Sequence, residues 1–280
     1  MHKAFLIKRF FPSLDDSSVS MYEDEIDLRG LGTRRFVSMD RNGNELNMKF
    51  SIDTLQLKNH VEIEIKKLKY SLPVHYLFDK RGGVPDFSKI TDKIILPIDG
   101  LSFPERASRL PNAPRSYRSG THRGIDFFSN WGTPVRSVAD GIVIRSDINY
   151  KEMPADFRIE MLKRASLINR TPSDIFNELL LGQAVIIDHG LDLFPGYRAI
   201  TIYAHLSNII PKFEVGYNIK SGEIFGYSGN TGTSPSTLGT KDESHLHWEL
   251  ILQDSKGEYY FGQDLEYSEL IKALDSLFIK

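Results

Sequence analysis

The spacing of apolar and polar positions first separates a β-rich segment, residues 1 to about 92, from the rest of the chain. Within it, two strand-like runs, 35–39 and 45–52, flank Asn42 and Gly43. Asparagine followed by glycine is typical of the two-residue turn of a β-hairpin, because both residues tolerate positive φ angles. The pattern therefore predicts a hairpin early in the chain.

A further strand is predicted later in this segment. Val61, Ile63 and Ile65 alternate with charged residues, and a period of two is typical of a strand with one buried face. A cluster of glycine and proline at 80–85 then predicts a loop. We place the end of the β-rich segment at about residue 92, and no chemically informative arrangement of residues precedes it.

From residue 93 to residue 260, short apolar runs separated by turn residues predict a compact antiparallel β domain. The fold class expected for the chain is therefore mainly β. The predicted strands lie at 135–138, 142–145, 184–187, 199–206 and 245–252. A glycine-rich run at 228–232 predicts a flexible loop.

Two helical segments accompany these strands. Residues 150–182 carry apolar side chains at helical spacing, which predicts a helical insertion between two strands. An insertion of this length could border a substrate groove. Residues 261–280 predict an amphipathic C-terminal helix. Its apolar side carries Leu270, Ile271, Leu274 and Phe278.

Composition narrows the function classes. The 280 residues have a formal net charge of −2, so nucleic acid is not an expected partner. The absence of cysteine excludes disulfides, zinc–thiolate sites and cysteine nucleophiles. No apolar run reaches the ~18 residues of a membrane helix, so no integral membrane segment is expected. Lys8 and Arg9 interrupt the apolar stretch at the N-terminus, which makes it a poor secretion signal.

Candidate chemistry begins with His122 and Asp126, four residues apart. On a helix these residues would share a face, whereas on an extended strand they would lie roughly 13 Å apart at ~3.3 Å per residue. That separation is too long for two bonds of about 2 Å to one zinc ion. If both residues of an extended segment bind one metal, the chain must bend between them, and Gly124 permits a bend.

Three more histidines lie downstream. His245 and His247 alternate on a predicted strand, so their side chains share one face about 7 Å apart and can serve one ion or its bound water. Leu246 and Trp248 then point to the opposite face. His205 ends another predicted strand, a position that alone indicates an ordinary surface histidine.

Six motifs follow one another between residues 122 and 249. They are His122 to Asp126, Gly132 to Val135, Asp140 to Val143, Tyr203 to Leu206, Gly226 to Gly232, and His245 to Glu249. In this order they resemble the M23 family of zinc peptidases, the lysostaphin- or LytM-type peptidoglycan endopeptidases. The resemblance covers roughly residues 95–255, without the insertion.

This resemblance implies a cofactor and a catalytic pair. One Zn²⁺ per chain would be bound by His122, Asp126 and His247, which leaves the fourth position for water. His205 and His245 would share the base and transition-state roles. We expect His245 to be the base and His205 to stabilise the oxyanion, and the reverse assignment stays open.

Three neighbouring residues are weaker candidates. Tyr117 lies five residues before His122 and is a candidate contact to the oxyanion or the substrate. Asn112 would line the cleft or cap the zinc in a latent form. Glu249 shares the face of His247 and would either support that ligand or add a solubilising charge.

The resemblance also implies a function. The protein would be a zinc-dependent endopeptidase that hydrolyses cross-links or stem peptides of bacterial peptidoglycan with a metal-activated water. Its location would be the cell envelope, periplasmic or extracellular. The alternative is a latent cell-wall-binding regulator of other hydrolases. A biotinyl- or lipoyl-type carrier is a remote third reading, because the turn repeat at 215–222 fits it but the histidines do not. The bond cleaved and the oligomeric state stay open.

Overall fold

The structure is a computed structural model that describes residues 7–9, 16, 19, 35–42, 45–51, 54–71, 85–87, 90, 94–172, 175–194, 196–254 and 257–279. The chain divides into two compact units, Met1–Leu72 and Pro73–Lys280. Gly43 and most of the predicted loop at 80–85 lie outside the described residues.

The first unit contains the predicted hairpin. Strands β1 (Arg35–Asn42) and β2 (Glu45–Ser51) pair in antiparallel fashion, with Asn42 opposite Glu45. Helix α1 (Thr54–Ser71) follows them.

The strand predicted around Val61 to Ile65 is wrong, because these residues belong to α1. Leu57 and Val61, one helical turn apart, are buried, whereas Ile63 is 52% exposed. Alternation over five residues is compatible with either structure, since Leu57, Val61 and Ile65 also recur every four positions. A segment of 18 residues then favours the helix.

The second unit contains twelve described strands. They are β3 (Pro114–Arg115), β4 (Gly120–Thr121), β5 (Ile125–Phe128), β6 (Pro134–Arg136), β7 (Gly141–Ser146), β8 (Val185–Phe194), β9 (Tyr197–Ala204), β10 (Leu206–Ile209), β11 (Asn218–Ile219), β12 (Ile224–Ser228), β13 (His245–Asp254) and β14 (Gly257–Tyr260). The main sheet has the order β11-β7-β8-β9-β13-β14, and β5 also pairs with β13. A smaller sheet has the order β10-β12-β6. All these pairs are antiparallel, which confirms the mainly β prediction.

The strand boundaries differ most from the predictions at two places. β8 continues past Asp188 to Phe194, with irregular pairing around Gly190. β9 ends at Ala204 rather than residue 206, because His205 adopts a positive φ of 61° and the chain continues as β10 in the other sheet. The break between the two sheets therefore falls on a predicted site residue.

The predicted helical insertion lies between β7 and β8. It contains helix α2 (Ala155–Leu167) and a wider helical turn of the π type at Ile175–Leu180. A single-turn helix α3 (Ser234–Thr237) follows β12, with the Thr233 side chain capping it.

The C-terminal helix α4 (Tyr267–Leu277) closes the core of the second unit. The helix is shorter than the predicted 261–280. Leu270 and Leu274 are buried on its apolar side, Phe278 is buried directly after its last residue, and Ile271 is packed at the edge. Phe278 also forms a parallel bridge with Ile94. In the part of the chain that the structure describes, no helix combines the length and apolarity that crossing a bilayer requires.

Candidate active site

Two paired strands position three of the five candidate site residues. β13 and β5 run antiparallel in a register that places His247 directly opposite Asp126, and side chains in such pairs lie close together. His245 shares the face of His247, while Leu246 and Trp248 are buried in the apolar core. The alternation along β13 thus puts two imidazoles beside one carboxylate.

A bend at Gly124 brings His122 to the same place. A Cβ atom on Gly124 would come closer than 3.0 Å to the Trp248 carbonyl oxygen and to side-chain atoms of His247 and Glu249. The chain therefore passes β13 at a distance that only glycine allows. This close approach lets the segment before β5 turn so that His122 meets Asp126.

The three side chains converge through one atom each. His122 Nε2 lies 2.9 Å from Asp126 Oδ1 and 3.0 Å from His247 Nδ1, and the last two atoms lie 2.8 Å apart. All three residues are buried. They form a group of potential metal ligands in the described part of the chain.

The outer partners of the two histidines fix their tautomers. His122 Nδ1–H donates to the Leu110 carbonyl oxygen at 2.9 Å, and His247 Nε2–H donates to Glu249 Oε1 at 2.8 Å. Because these acceptors cannot donate, the opposite ring nitrogens carry lone pairs in the neutral imidazoles. Two nitrogen lone pairs and a carboxylate oxygen thus face one another, an arrangement that fits a bound cation such as zinc.

Electrostatics in the cluster also favour positive charge. Burial raises the pKa of the Asp126 carboxyl, but His122 and His247 outweigh it and hold that pKa well below its usual range. Burial lowers the pKa of His247, yet its hydrogen bonds to Asp126 and Glu249 raise it to about 9. Without a cation the ring therefore carries a proton on Nδ1 as well, and a bound cation would take the place of that proton. Arg115 Nη2 contacts the other oxygen of Asp126 at 3.1 Å.

Glu249 belongs to the site rather than to the surface. It is 0% exposed, and its Oε2 lies 2.9 Å from Nη2 of the buried Arg123. Burial raises the pKa of the Glu249 carboxyl, but Arg123 and His247 lower it to about 2. An ionised carboxylate therefore supports His247 from behind, the arrangement that orients histidine ligands in metal sites.

The two remaining histidines lie next to this cluster. The ring centroids of His205 and His245 are 4.8 Å apart, and His245 Nε2 lies 3.9 Å from Asp126 Oδ1. His205 Nδ1–H donates to the Thr231 carbonyl at 2.7 Å, and His245 Nδ1–H donates to the Glu243 carbonyl at 2.6 Å. Burial lowers the pKa of both imidazoles, so each is neutral and presents Nε2 as an acceptor.

The glycine-rich run at 228–232 is tightly bonded, and the prediction of a flexible loop is wrong. Asn230 is completely buried and donates to the carbonyls of Thr240 and Asp242. The glycines allow close approach: a Cβ on Gly229 would lie 2.7 Å from the Ser207 nitrogen. These contacts matter for the site because the carbonyl of Thr231, within this run, accepts the hydrogen bond from His205.

The insertion holds the same loop from the other side. Glu152 Oε2 accepts from the Gly232 amide at 2.9 Å, and Arg158 Nε donates to the Gly232 carbonyl at 3.0 Å. Residues of the insertion, including Leu162 and Phe176, line a cleft of about 490 Å³ that also contains the histidine cluster. The expectation that the insertion borders a groove at the site is confirmed.

Of the weaker candidates, Tyr117 lies at the cleft and Asn112 does not. Tyr117 is 56% exposed and lines the cleft. The Asn112 amide donates to the carbonyls of Gly262 and Leu265, while its oxygen accepts from Tyr260 Oη. Its side chain is thus committed to these contacts and does not cap the proposed metal ligands, contrary to that expectation.

Sequence reasoning missed Arg115, Glu152 and Arg158. Arg115 contacts Asp126, which lies 11 residues further along the chain, and the other two act from the insertion. None carries a motif, so spacing alone offered no signal for them.

Replacing Gly124 by Ala is expected to lower the free energy of unfolding by about 3 kcal/mol, because the new Cβ would clash with main chain that cannot yield. Urea unfolding of the two proteins measures the difference. Gly100→Ala is the control: its Cβ would meet no atom within 4 Å, and its positive φ alone should cost about 1 kcal/mol. Equal costs for both variants would contradict the role assigned to close packing at Gly124.

Comparison with known proteins adds independent information. The family model for peptidase family M23 matches residues 173–258. This span contains His205, His245 and His247 but neither His122 nor Asp126, so the fold unites matched and unmatched parts of the chain.

One curated relative shows low sequence identity over about half of the chain. The glycyl-glycine endopeptidase ALE-1 of Staphylococcus capitis is 26% identical over 138 residues, which are 49% of this chain and 26% of the relative. The chain thus spans about a quarter of the length of that relative.

Among solved structures, the catalytic domain of lysostaphin from Staphylococcus simulans is 20% identical with a TM-score of 0.30, covering 64% of this chain and 87% of that one. A zinc-containing peptidase from Vibrio cholerae is 12% identical with a TM-score of 0.35, covering 90% and 93%. The family model is the specific result: residues 173–258 match peptidase family M23, and this span includes three of the five candidate site residues.

Proposed function

We propose that the protein is a zinc-dependent endopeptidase that hydrolyses peptide bonds in bacterial peptidoglycan. The observation that carries this proposal is the convergence of lone pairs from His122, Asp126 and His247 beside two further neutral histidines in one cleft. The family match to peptidases and the glycyl-glycine endopeptidase among the relatives support it.

One Zn²⁺ per chain would be held by His122, Asp126 and His247, with a fourth position open. Bound there, the ion would polarise the scissile carbonyl and lower the pKa of a water to about 7. Glu249 keeps the His247 ring in the tautomer that can bind it, through the hydrogen bond at Nε2.

The other two histidines supply proton transfer and charge stabilisation. His245 presents an Nε2 lone pair close to Asp126 Oδ1 and would take the proton of the attacking water. His205, held by Thr231, would stabilise the charge that develops on the carbonyl oxygen. Tyr117 would contact the substrate at the mouth of the cleft.

This function also assigns roles to the parts of the chain and a location to the protein. Residues 93–260 would form the peptidase domain, residues 1–92 a separate part of unknown role, and residues 261–280 a closing helix. The substrate places the protein in the cell envelope, periplasmic or extracellular. The latent-regulator alternative gains no support from Asn112, whose side chain is committed to residues 260–265.

Digestion of purified peptidoglycan tests the proposal, with the products identified by mass spectrometry. The wild-type protein, a His247→Ala variant and a chelator-treated sample are run together, and zinc is then added back to the last. New peptide fragments from the wild-type and zinc-restored samples alone would support the enzyme. Zinc binding without fragments would favour the regulator.

Replacing His245 or His205 by Ala is expected to lower kcat by about 100-fold to 10,000-fold while one zinc per chain remains bound. Neither residue belongs to the proposed ligand set, so the metal content separates their role from that of a ligand. Steady-state cleavage and metal analysis of the same samples measure both quantities. Loss of zinc from either variant would contradict this division.

A further inference from the structure

One wall of the cleft carries guanidinium groups without acidic partners. Arg158, on α2, donates Nε–H to the Gly232 carbonyl. Among the residues that the structure describes, neither of its Nη groups has a hydrogen-bond acceptor or an ion pair. The charge of Glu152 acts on this guanidinium, but the Glu152 carboxylate is bonded to the Gly232 amide and the Ser236 hydroxyl. The guanidinium is therefore held at one edge while its outer fork is free to bind.

A second guanidinium lies on the same side of the cleft. Arg118 is only 5% exposed. It donates to the Thr121 carbonyl at 2.7 Å and to Thr171 Oγ1 at 3.2 Å, and it lies over the Phe176 ring at 4.9 Å. No ion pair neutralises it within the described part of the chain. Both arginines line the cleft together with Tyr117.

The charge of this wall is not balanced from within the cleft. Its lining residues include two acids, Asp126 and Glu243. Asp126 is already engaged by Arg115 and two histidines. The buried Arg118 already donates from both of its Nη groups, whereas the outer fork of the partly exposed Arg158 is open. Its planar fork matches a carboxylate with two parallel hydrogen bonds, so a carboxylate is the peptide group best suited to this wall.

We propose that Arg158, supported by Arg118 and Tyr117, forms a subsite that binds a carboxylate of the peptide substrate beside the scissile bond. This inference rests on the proposed peptidase function and narrows its substrate class. Stem peptides or cross-links that carry a free carboxylate near the cleaved bond are preferred over uncharged glycine bridges. The apolar side chains of Leu162 and Phe176 line the same cleft, where they can pack against the aliphatic part of such a residue.

The test uses a matched pair of peptides and the zinc-loaded chain of 280 residues. One is a D-alanyl-diaminopimelate cross-linked dimer with free side-chain carboxylates, and the other is the same dimer with those carboxylates amidated. We expect the wild type to prefer the acid by about 10-fold to 100-fold, mainly in KM, as for a charged hydrogen bond. Arg158→Gln should remove this preference, so that the two peptides are cleaved about equally well.

Arg164→Gln is the matched control, because Arg164 lies on the same helix but pairs with Glu160 at the surface. It should keep the wild-type preference. If Arg158 only supports Gly232, Arg158→Gln will slow cleavage of both peptides equally and leave their ratio unchanged, which would overturn the proposal. Arg158→Lys, which keeps the charge but loses the fork, should retain part of the preference.

Binding of the two peptides is measured by calorimetry in parallel, so the inference can be decided even without cleavage. A stronger affinity for the acid that Arg158→Gln removes supports the subsite, whereas equal affinities in the wild type overturn it. Absence of cleavage with this binding preference intact would count against the peptidase function alone.

Discussion

A protein in which Asp126 is replaced by asparagine is expected to lose the proposed zinc binding and the proposed peptidase activity together. Asp126 Oδ1 lies within 3 Å of nitrogen atoms of both His122 and His247, so it is the anionic member of the cluster. Asparagine preserves the shape but removes the charge. We expect zinc affinity to fall by more than the about 100-fold typical of losing an outer partner, and cleavage to fall to the level of the chelated enzyme.

Metal analysis after dialysis and competition with a chromophoric chelator measure this loss. Asp188→Asn is the matched control, since Asp188 pairs with Arg198 at 2.7 Å and does not line the cleft. The same charge change there should leave zinc content and cleavage unaltered. Retention of one zinc per chain at wild-type affinity by Asp126→Asn would show that Asp126 is not a ligand.

Replacing Glu249 by glutamine is expected to weaken both the fold and the metal site. The change leaves the buried Arg123 without the carboxylate that lies 2.9 Å from it. Breaking a buried ion pair at one partner costs about 3–5 kcal/mol. The substitution also replaces the carboxylate that is bonded to His247 Nε2 by a neutral amide, which should lower zinc affinity by about 10-fold to 100-fold. Denaturant unfolding and metal competition measure the two effects.

A double variant, Arg123→Met with Glu249→Leu, separates these effects. Apolar replacement of a whole buried pair is often neutral, so most of the stability should return. Zinc affinity should stay low, because His247 still lacks its outer partner. Recovery of wild-type zinc affinity in the double variant would mean that Glu249 acts on the metal site only through stability.

The sequence was most informative where side-chain periodicity and local chain geometry determine the site. Alternation along one strand predicted that His245 and His247 share a face, and the structure has them so. The need for a bend between His122 and Asp126 pointed to Gly124, which lies against β13. Both inferences depend on local geometry, which a sequence encodes directly.

The features that could not be predicted from the sequence depend on tertiary contacts. The glycines at 228–232 indicated flexibility, but neighbouring main chain, which is invisible in the pattern, approaches them closely. Arg158 and Glu152 reach Gly232 from a position about 80 residues earlier in the chain. In α1, the alternation at Val61 to Ile65 was equally compatible with a helix, and only the length of the element decided.

The pairing of β13 has a consequence for how the protein would release an ion bound at the proposed site. This strand is bonded to β9 over residues 247–253, to β5 at its start and to β14 at its end. Its amide hydrogens should therefore exchange with solvent only when the whole sheet opens. His247 then has no route out of the site short of global unfolding. His122 lies between strands, so fraying of the segment around it is the faster path for release, and the kinetics of metal loss should follow that segment rather than the melting of the sheet.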